Sequence, residues 1–184
     1  MSTTVIVIIA VVVVLLVCAV AAWVATSRRR KLRERFGPEY ERAVETKDGR
    51  RDAERELRER EERHDALDLR PLSEAVRDRY TQDWTKVQET FVDRPEDAVH
   101  AADQLVSSLM SDRGYPTEGY EQQLKDLSVE HGRTLEHYRV AHEINGRSSS
   151  HQATTEELRG AMVHYRALFD ELLHDGDRPR GSQT

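Results

Sequence analysis

The chain has 184 residues, 34% of them charged, and a formal net charge of −6. This acidic balance is a poor electrostatic match for nucleic acid, whose binders need Lys and Arg to displace counterions, so no nucleic-acid partner is expected. The single cysteine, Cys18, excludes an intramolecular disulfide.

Val5 to Ala25 is an unbroken apolar run of 21 residues. As a helix it measures about 32 Å, enough to cross a hydrocarbon core of about 30 Å. The run is rich in Val and Ile, but an open strand would leave its backbone unsatisfied in lipid. The sequence therefore predicts a short tail over 1–4 and one transmembrane helix over 5–25. A cleaved signal peptide is the rival. Against it stand the length of the run and the leading Met1-Ser2-Thr3-Thr4, which lacks the basic residues of a signal n-region. Ala19-Val20-Ala21 has a small-x-small pattern, but it sits inside the run, and Cys18 follows Val17 where a lipoprotein signal needs a small residue.

Arg28, Arg29, Arg30, Lys31, Arg33 and Arg35 crowd the far end of the run. The positive-inside rule then places the N-terminus outside and the remaining chain in the cytoplasm, with Trp23 as an interfacial aromatic. The collar is expected to set topology in the lipid bilayer, and contact with anionic head groups would add about 1 kcal/mol per basic residue near the surface. Residues 28–37 hold six basic side chains and one acidic one, so 38–184 carry a net −11.

Residues 26–71 are predicted to be this collar followed by a charged helical stalk. Leu32, Phe36, Tyr40 and Val44 recur at helical spacing, interrupted by Gly37-Pro38. Lys47-Asp48-Gly49 reads as a break. In residues 51–68, Glu54/Arg58, Glu56/Arg60 and Glu59/Arg63 are acid-to-base pairs at i,i+4. Ala53, Leu57 and Leu67 are too sparse for a sustained coiled-coil seam, so a solvated helix is expected, with a short two-stranded coil as the alternative.

Beyond Pro71 the apolar density rises. Ser73 is a predicted N-cap ahead of Val76, Tyr80, Trp84, Val87 and Phe91. Pro95 opens a helix carrying Ala98, Val99, Ala102, Leu105, Val106, Leu109 and Met110, and Gly114-Tyr115-Pro116 stops it. Tyr120, Leu124 and Leu127 mark a shorter helix. Leu135, Tyr138, Ala141 and Ile144 mark another, ending at Asn145-Gly146. After a polar loop, Thr154 and Glu157 form a capping-box pattern before Leu158, Met162, Tyr165, Leu168, Phe169 and Leu172. No alternating strand competes. The predicted fold is all-α, with a bundle of about five helices over 72–174 and a disordered tail over 175–184.

Several segments together resemble a family of uncharacterised bacterial single-pass membrane proteins: FGPEYERAV (36–44), LDLRPLS (67–73), RGYPTEGYEQQLKDLSVEH (113–131), EHYRVAH (136–142) and MVHYRALFDELL (162–173). Members are often labelled "membrane protein" or "secreted protein". The resemblance covers essentially the whole chain beyond the apolar run and implies a bacterial inner-membrane setting. It carries no activity, ligand or catalytic residue. Gly132 departs from the pattern, which has Pro after the His, and softens the start of the next helix.

His131, His137 and His142 are six and five residues apart, which does not stack them on one helix face, and His142-Glu143 lacks the second His of a zincin helix. No metal and no cofactor are expected. There is no Gly-rich phosphate loop and no GxSxG. One internal echo stands out. His137-Tyr138-Arg139 recurs as His164-Tyr165-Arg166 on the partner helix of an expected antiparallel hairpin. If residues 145 and 155 face each other, positions summing to 300 lie level and the triplets are neighbours. Two core tyrosines with hydroxyls at the rim are the plain outcome; a small cationic pocket for a carboxylate or phosphate is the sharper one.

The expectation for function is a membrane-anchored, non-catalytic helical domain for interaction with a protein partner or for scaffolding. The alternatives are anion or metal sensing by the bundle, or an exported domain released by signal cleavage.

Overall fold

The computed structural model describes residues 3–175, with side chains from Val11 onward. Among the described residues there are eight helices and no strand: α1 (Thr3–Phe36), α2 (Pro38–Thr46), α3 (Arg50–Asp65), α4 (Glu74–Asp93), α5 (Pro95–Arg113), α6 (Tyr120–Leu127), α7 (Leu135–Ser148) and α8 (Thr155–His174). The chain divides into two compact units, 1–58 and 59–184, with the division inside α3.

In the first unit, α1 begins at Thr3, so Thr3 and Thr4 of the expected tail are helical; Met1 and Ser2 lie outside the described residues. The helix does not stop at Ala25 but continues through the collar. Its 34 residues measure about 51 Å, so some 20 Å remains beyond a hydrocarbon core. Within Val11–Phe36 the apolar window has a mean hydropathy of 2.2 and none of it is buried by protein, so α1 is long and apolar enough to cross a membrane. Gly37 then breaks the helix at φ 54°, and Pro38 opens α2, where its fixed φ and missing N–H suit the first turn.

The stalk differs from its expectation. Leu32, Phe36, Tyr40, Ala43, Ala53 and Leu57 are all buried, with Phe36, Ala53 and Leu57 at 0% exposure. Glu54 knits the three helices together, accepting from Tyr40 Oη at 2.9 Å and Arg29 Nε at 3.1 Å. Residues 32–57 thus belong to a folded unit rather than a solvated rod. Ala53 and Leu57 are one turn apart on α3 and form a narrow buried stripe.

The second unit holds the five predicted helices of the bundle, α4 to α8. Ser73 Oγ accepts from the Val76 N–H at 3.4 Å, and Thr154 and Glu157 form the full capping box on α8. Helix α5 packs against α4, α7 and α8, and α8 packs against both α5 and α7. Trp84 stacks on Phe169 at 4.7 Å between ring centroids, and Tyr80 meets the same ring edge-on at 6.4 Å. Tyr138, Tyr165, Leu109, Leu135, Leu158 and Leu168 complete the core, each large apolar side chain contributing about 1.5–3 kcal/mol on full burial.

Within the bundle, the end of α7 is displaced from its expected place. It runs to Ser148, past the expected stop at Asn145-Gly146, because Ser149 donates from both N–H and Oγ to the Asn145 carbonyl and satisfies the last turn. The left-handed residue falls later, at His151. Residues 66–73 are held to the end of α5, where Arg70 N–H donates to the Arg113 carbonyl at 3.0 Å.

Candidate functional site

The two triplets lie side by side on α7 and α8, as the hairpin register requires. His137 and His164 stack with ring centroids 4.9 Å apart and Nδ1 atoms at 2.8 Å. Tyr138 and Tyr165 are buried and meet edge-on at 6.1 Å. Tyr165 Oη donates to Asp103 Oδ1 at 2.8 Å, and His142 Nδ1 lies 3.1 Å from the same oxygen. Burial pushes both phenols above their ordinary range, and the Asp103 charge pushes them further. Burial would raise Asp103 as well, but the hydrogen bonds from His142 and Tyr165 outweigh it and hold the carboxyl below its usual value.

The arginines of the triplets do not point at a shared centre. Arg139 reaches Glu136 at 3.2 Å and Arg166 reaches Asp170 at 2.7 Å, each on its own helix. Arg166 also covers the Trp84 ring at 5.5 Å. The tyrosines therefore serve the core, and each guanidinium has an acid beside it.

In the collar, Arg29 pairs with Glu54 at 3.1 Å, Arg30 with Glu34 at 2.7 Å, and Arg33 with Glu41. Exposed pairs of this kind are weak and leave the cations free to exchange partners.

A second polar centre is buried at the C-terminal end of α8. Four elements supply it: the end of α3 brings His64, the end of α5 brings Arg113 with Tyr115 just beyond, the turn 128–134 brings Glu130 and His131, and α8 brings Glu171 and Asp175. Arg113, Tyr115, His131 and His64 are each no more than 4% exposed. His131 is fixed by its backbone, whose N–H donates to the Leu127 carbonyl at 2.8 Å while its carbonyl accepts from Thr134 and Leu135. Its imidazole has Tyr115 Oη at 3.2 Å and Asp175 Oδ2 at 3.9 Å from Nε2. The opposite nitrogen, Nδ1, is 3.1 Å from Glu171 Oε1 but off the line of a hydrogen bond. Arg113 Nη2 donates to Asp175 Oδ2 at 2.9 Å, while its buried Nε and Nη1 have no acceptor. His64 Nε2 lies 3.8 Å from Glu130 Oε2. One ligand atom from each of Glu130, His131 and Asp175 falls within 4.8 Å of the others. Burial raises the Tyr115 phenol strongly, with the Glu130 and Asp175 charges adding to it.

Sequence reasoning missed this centre. Asp175 fell in the expected tail, yet it is the partner of the buried Arg113; residues 176–184 lie outside the described residues. The histidines near His131 in sequence are not its partners; its neighbours come from the ends of α3, α5 and α8. In the sequence Arg113 reads as an ordinary basic residue in the last turn of a helix, and nothing local shows that it is buried and requires a carboxylate. No protein-family profile, curated protein or solved structure matches the chain.

Proposed function

We propose that this is a single-pass membrane protein whose acidic helical bundle makes non-catalytic contacts with another protein at the cytoplasmic face. The observation that carries this reading is the contrast within the chain: the apolar window of α1 is not buried at all by protein, while α4 to α8 close their apolar faces into a core of their own. A helix in the first state is suited to a lipid environment. A bundle in the second state has a finished core, and 38–184 carry a net −11 with which to select a basic partner. The collar supports the cytoplasmic orientation through the positive-inside rule.

The test is photo-crosslinking in native membranes, with a photoreactive residue placed in turn at exposed bundle positions, including Val92 and Val163, which are 82% and 64% exposed. A discrete adduct of constant mass from positions sharing one face is the expected result. Adducts to lipid alone from every position would defeat the reading. A second reading, sensing of a metal by the bundle, draws on the buried His131 centre.

A further inference from the structure

We propose that Glu130, His131 and Asp175 bind one divalent transition-metal ion, Zn2+ by its chemistry, which staples the C-terminal end of α8 to the turn ahead of α7. The donors are already gathered, with their ligand atoms within 4.8 Å of one another. A tetrahedral ion at about 2.0–2.1 Å from each donor needs donor pairs about 3.3–3.5 Å apart. His131 Nε2 and Asp175 Oδ2 stand at 3.9 Å and the donor atoms all lie within 4.8 Å of one another, so closing on an ion draws the donors inward by up to about 1.5 Å. Tyr115 Oη, now against Nε2, is displaced toward a bound carboxylate. His64 Nε2, 3.8 Å from Glu130, stands in reach as a fourth donor; otherwise water completes the shell.

Charge supports the same occupant. Glu130, Glu171 and Asp175 bring three carboxylates to a centre whose one guanidinium is Arg113. The carboxylates outnumber the guanidinium three to one, and a divalent cation would offset that excess beside the largely covered Glu171 and Asp175. The same excess of carboxylates disfavours an anion. Imidazole beside carboxylate selects Zn2+ and its transition-metal neighbours over Mg2+ and Ca2+, which prefer all-oxygen shells. Glu171 sits against Nδ1 of His131 in the position of an outer-shell partner, and Arg113 Nη2 donates to Asp175 Oδ2, which leaves Oδ1 or the second lone pair of Oδ2 for an ion. The His131 side chain is fully buried, and Nδ1 lacks an aligned hydrogen bond. Reorienting the ring onto an ion would correct that alignment. The site is independent of whether the bundle engages a partner protein.

The experiment uses the full untagged chain in detergent micelles, stripped with chelator and titrated with Zn2+ by calorimetry and by thermal unfolding. One Zn2+ per chain is expected, with Tm raised by roughly 5 °C or more at a hundredfold excess over Kd. Glu130→Gln, at an exposed position that tolerates an amide, should retain the helical circular dichroism and weaken Zn2+ binding at least about tenfold. His131→Asn should abolish binding; whether or not that variant folds, Glu130→Gln decides. The double variant His137→Gln/His164→Gln, which removes the exposed histidine pair, should bind Zn2+ as the parent does. No saturable binding by the parent, or binding kept by Glu130→Gln and lost with the exposed pair, would overturn the proposal.

Discussion

His137 and His164 face each other across α7 and α8 with ring nitrogens 2.8 Å apart. Such a contact requires that at least one ring present a lone pair to the other. Partial burial, and then the His137 charge, hold His164 below the ordinary histidine value. A base with a depressed folded pKa contributes its full stability above the unfolded value of about 6.5, and that stability is lost as pH falls through the lower folded value. His164→Gln should therefore reduce the fall in Tm between about pH 7 and pH 5, measured against the parent at each pH. An unchanged slope would contradict this account of the pair. The juxtaposition was legible from sequence because a hairpin with a short loop fixes its register locally. The directions of Arg139 and Arg166 were not, because acids on the same helices, Glu136 and Asp170, decide them.

The end of α5 shows how a single backbone position ties one element to the next. Gly114 has φ 96°, and a Cβ there would lie 2.5 Å from the Asp68 carbonyl oxygen, which belongs to the backbone and has little freedom to retreat. Gly114→Ala combines a disfavoured left-handed conformation with that clash, about 2 kcal/mol or more in all. The expected fall in Tm is roughly 5–10 °C, while Gly160→Ala, which meets nothing within 4 Å, should leave Tm level or slightly raised. Equal effects from the two would contradict the packing of residues 66–73 on α5. Helix ends such as this were legible because caps and stops are written within a few residues: Ser73, Pro95, Gly114 and the Thr154–Glu157 box all act where expected. The first unit was not legible by the same route. Ala53 and Leu57 fail as a self-pairing seam, and no local pattern states that they share a compact unit with Leu32 and Phe36. The His131 centre was hidden for a related reason, since its residues span positions 64 to 175 and become neighbours only once four elements have packed.

At the scale of the whole molecule, the chain separates its charges along its length. An uncharged, apolar start is followed by the six-cation collar and then by 147 residues, 38–184, with a net −11. The run of α1 without a break from Thr3 to Phe36 carries the collar directly out of the apolar segment, so the basic residues begin where a hydrocarbon core would end. In a bilayer that polarity is a topological instruction, and it is the premise for any cytoplasmic partner of the bundle. Protease protection of a C-terminal tag in intact bacterial spheroplasts tests it most directly. The account predicts a tag that resists external protease and is digested only after the membrane is permeabilised, on a chain that keeps its full mass in the membrane fraction. A tag digested in intact spheroplasts, or a shortened chain recovered in soluble form outside the cell, would contradict it.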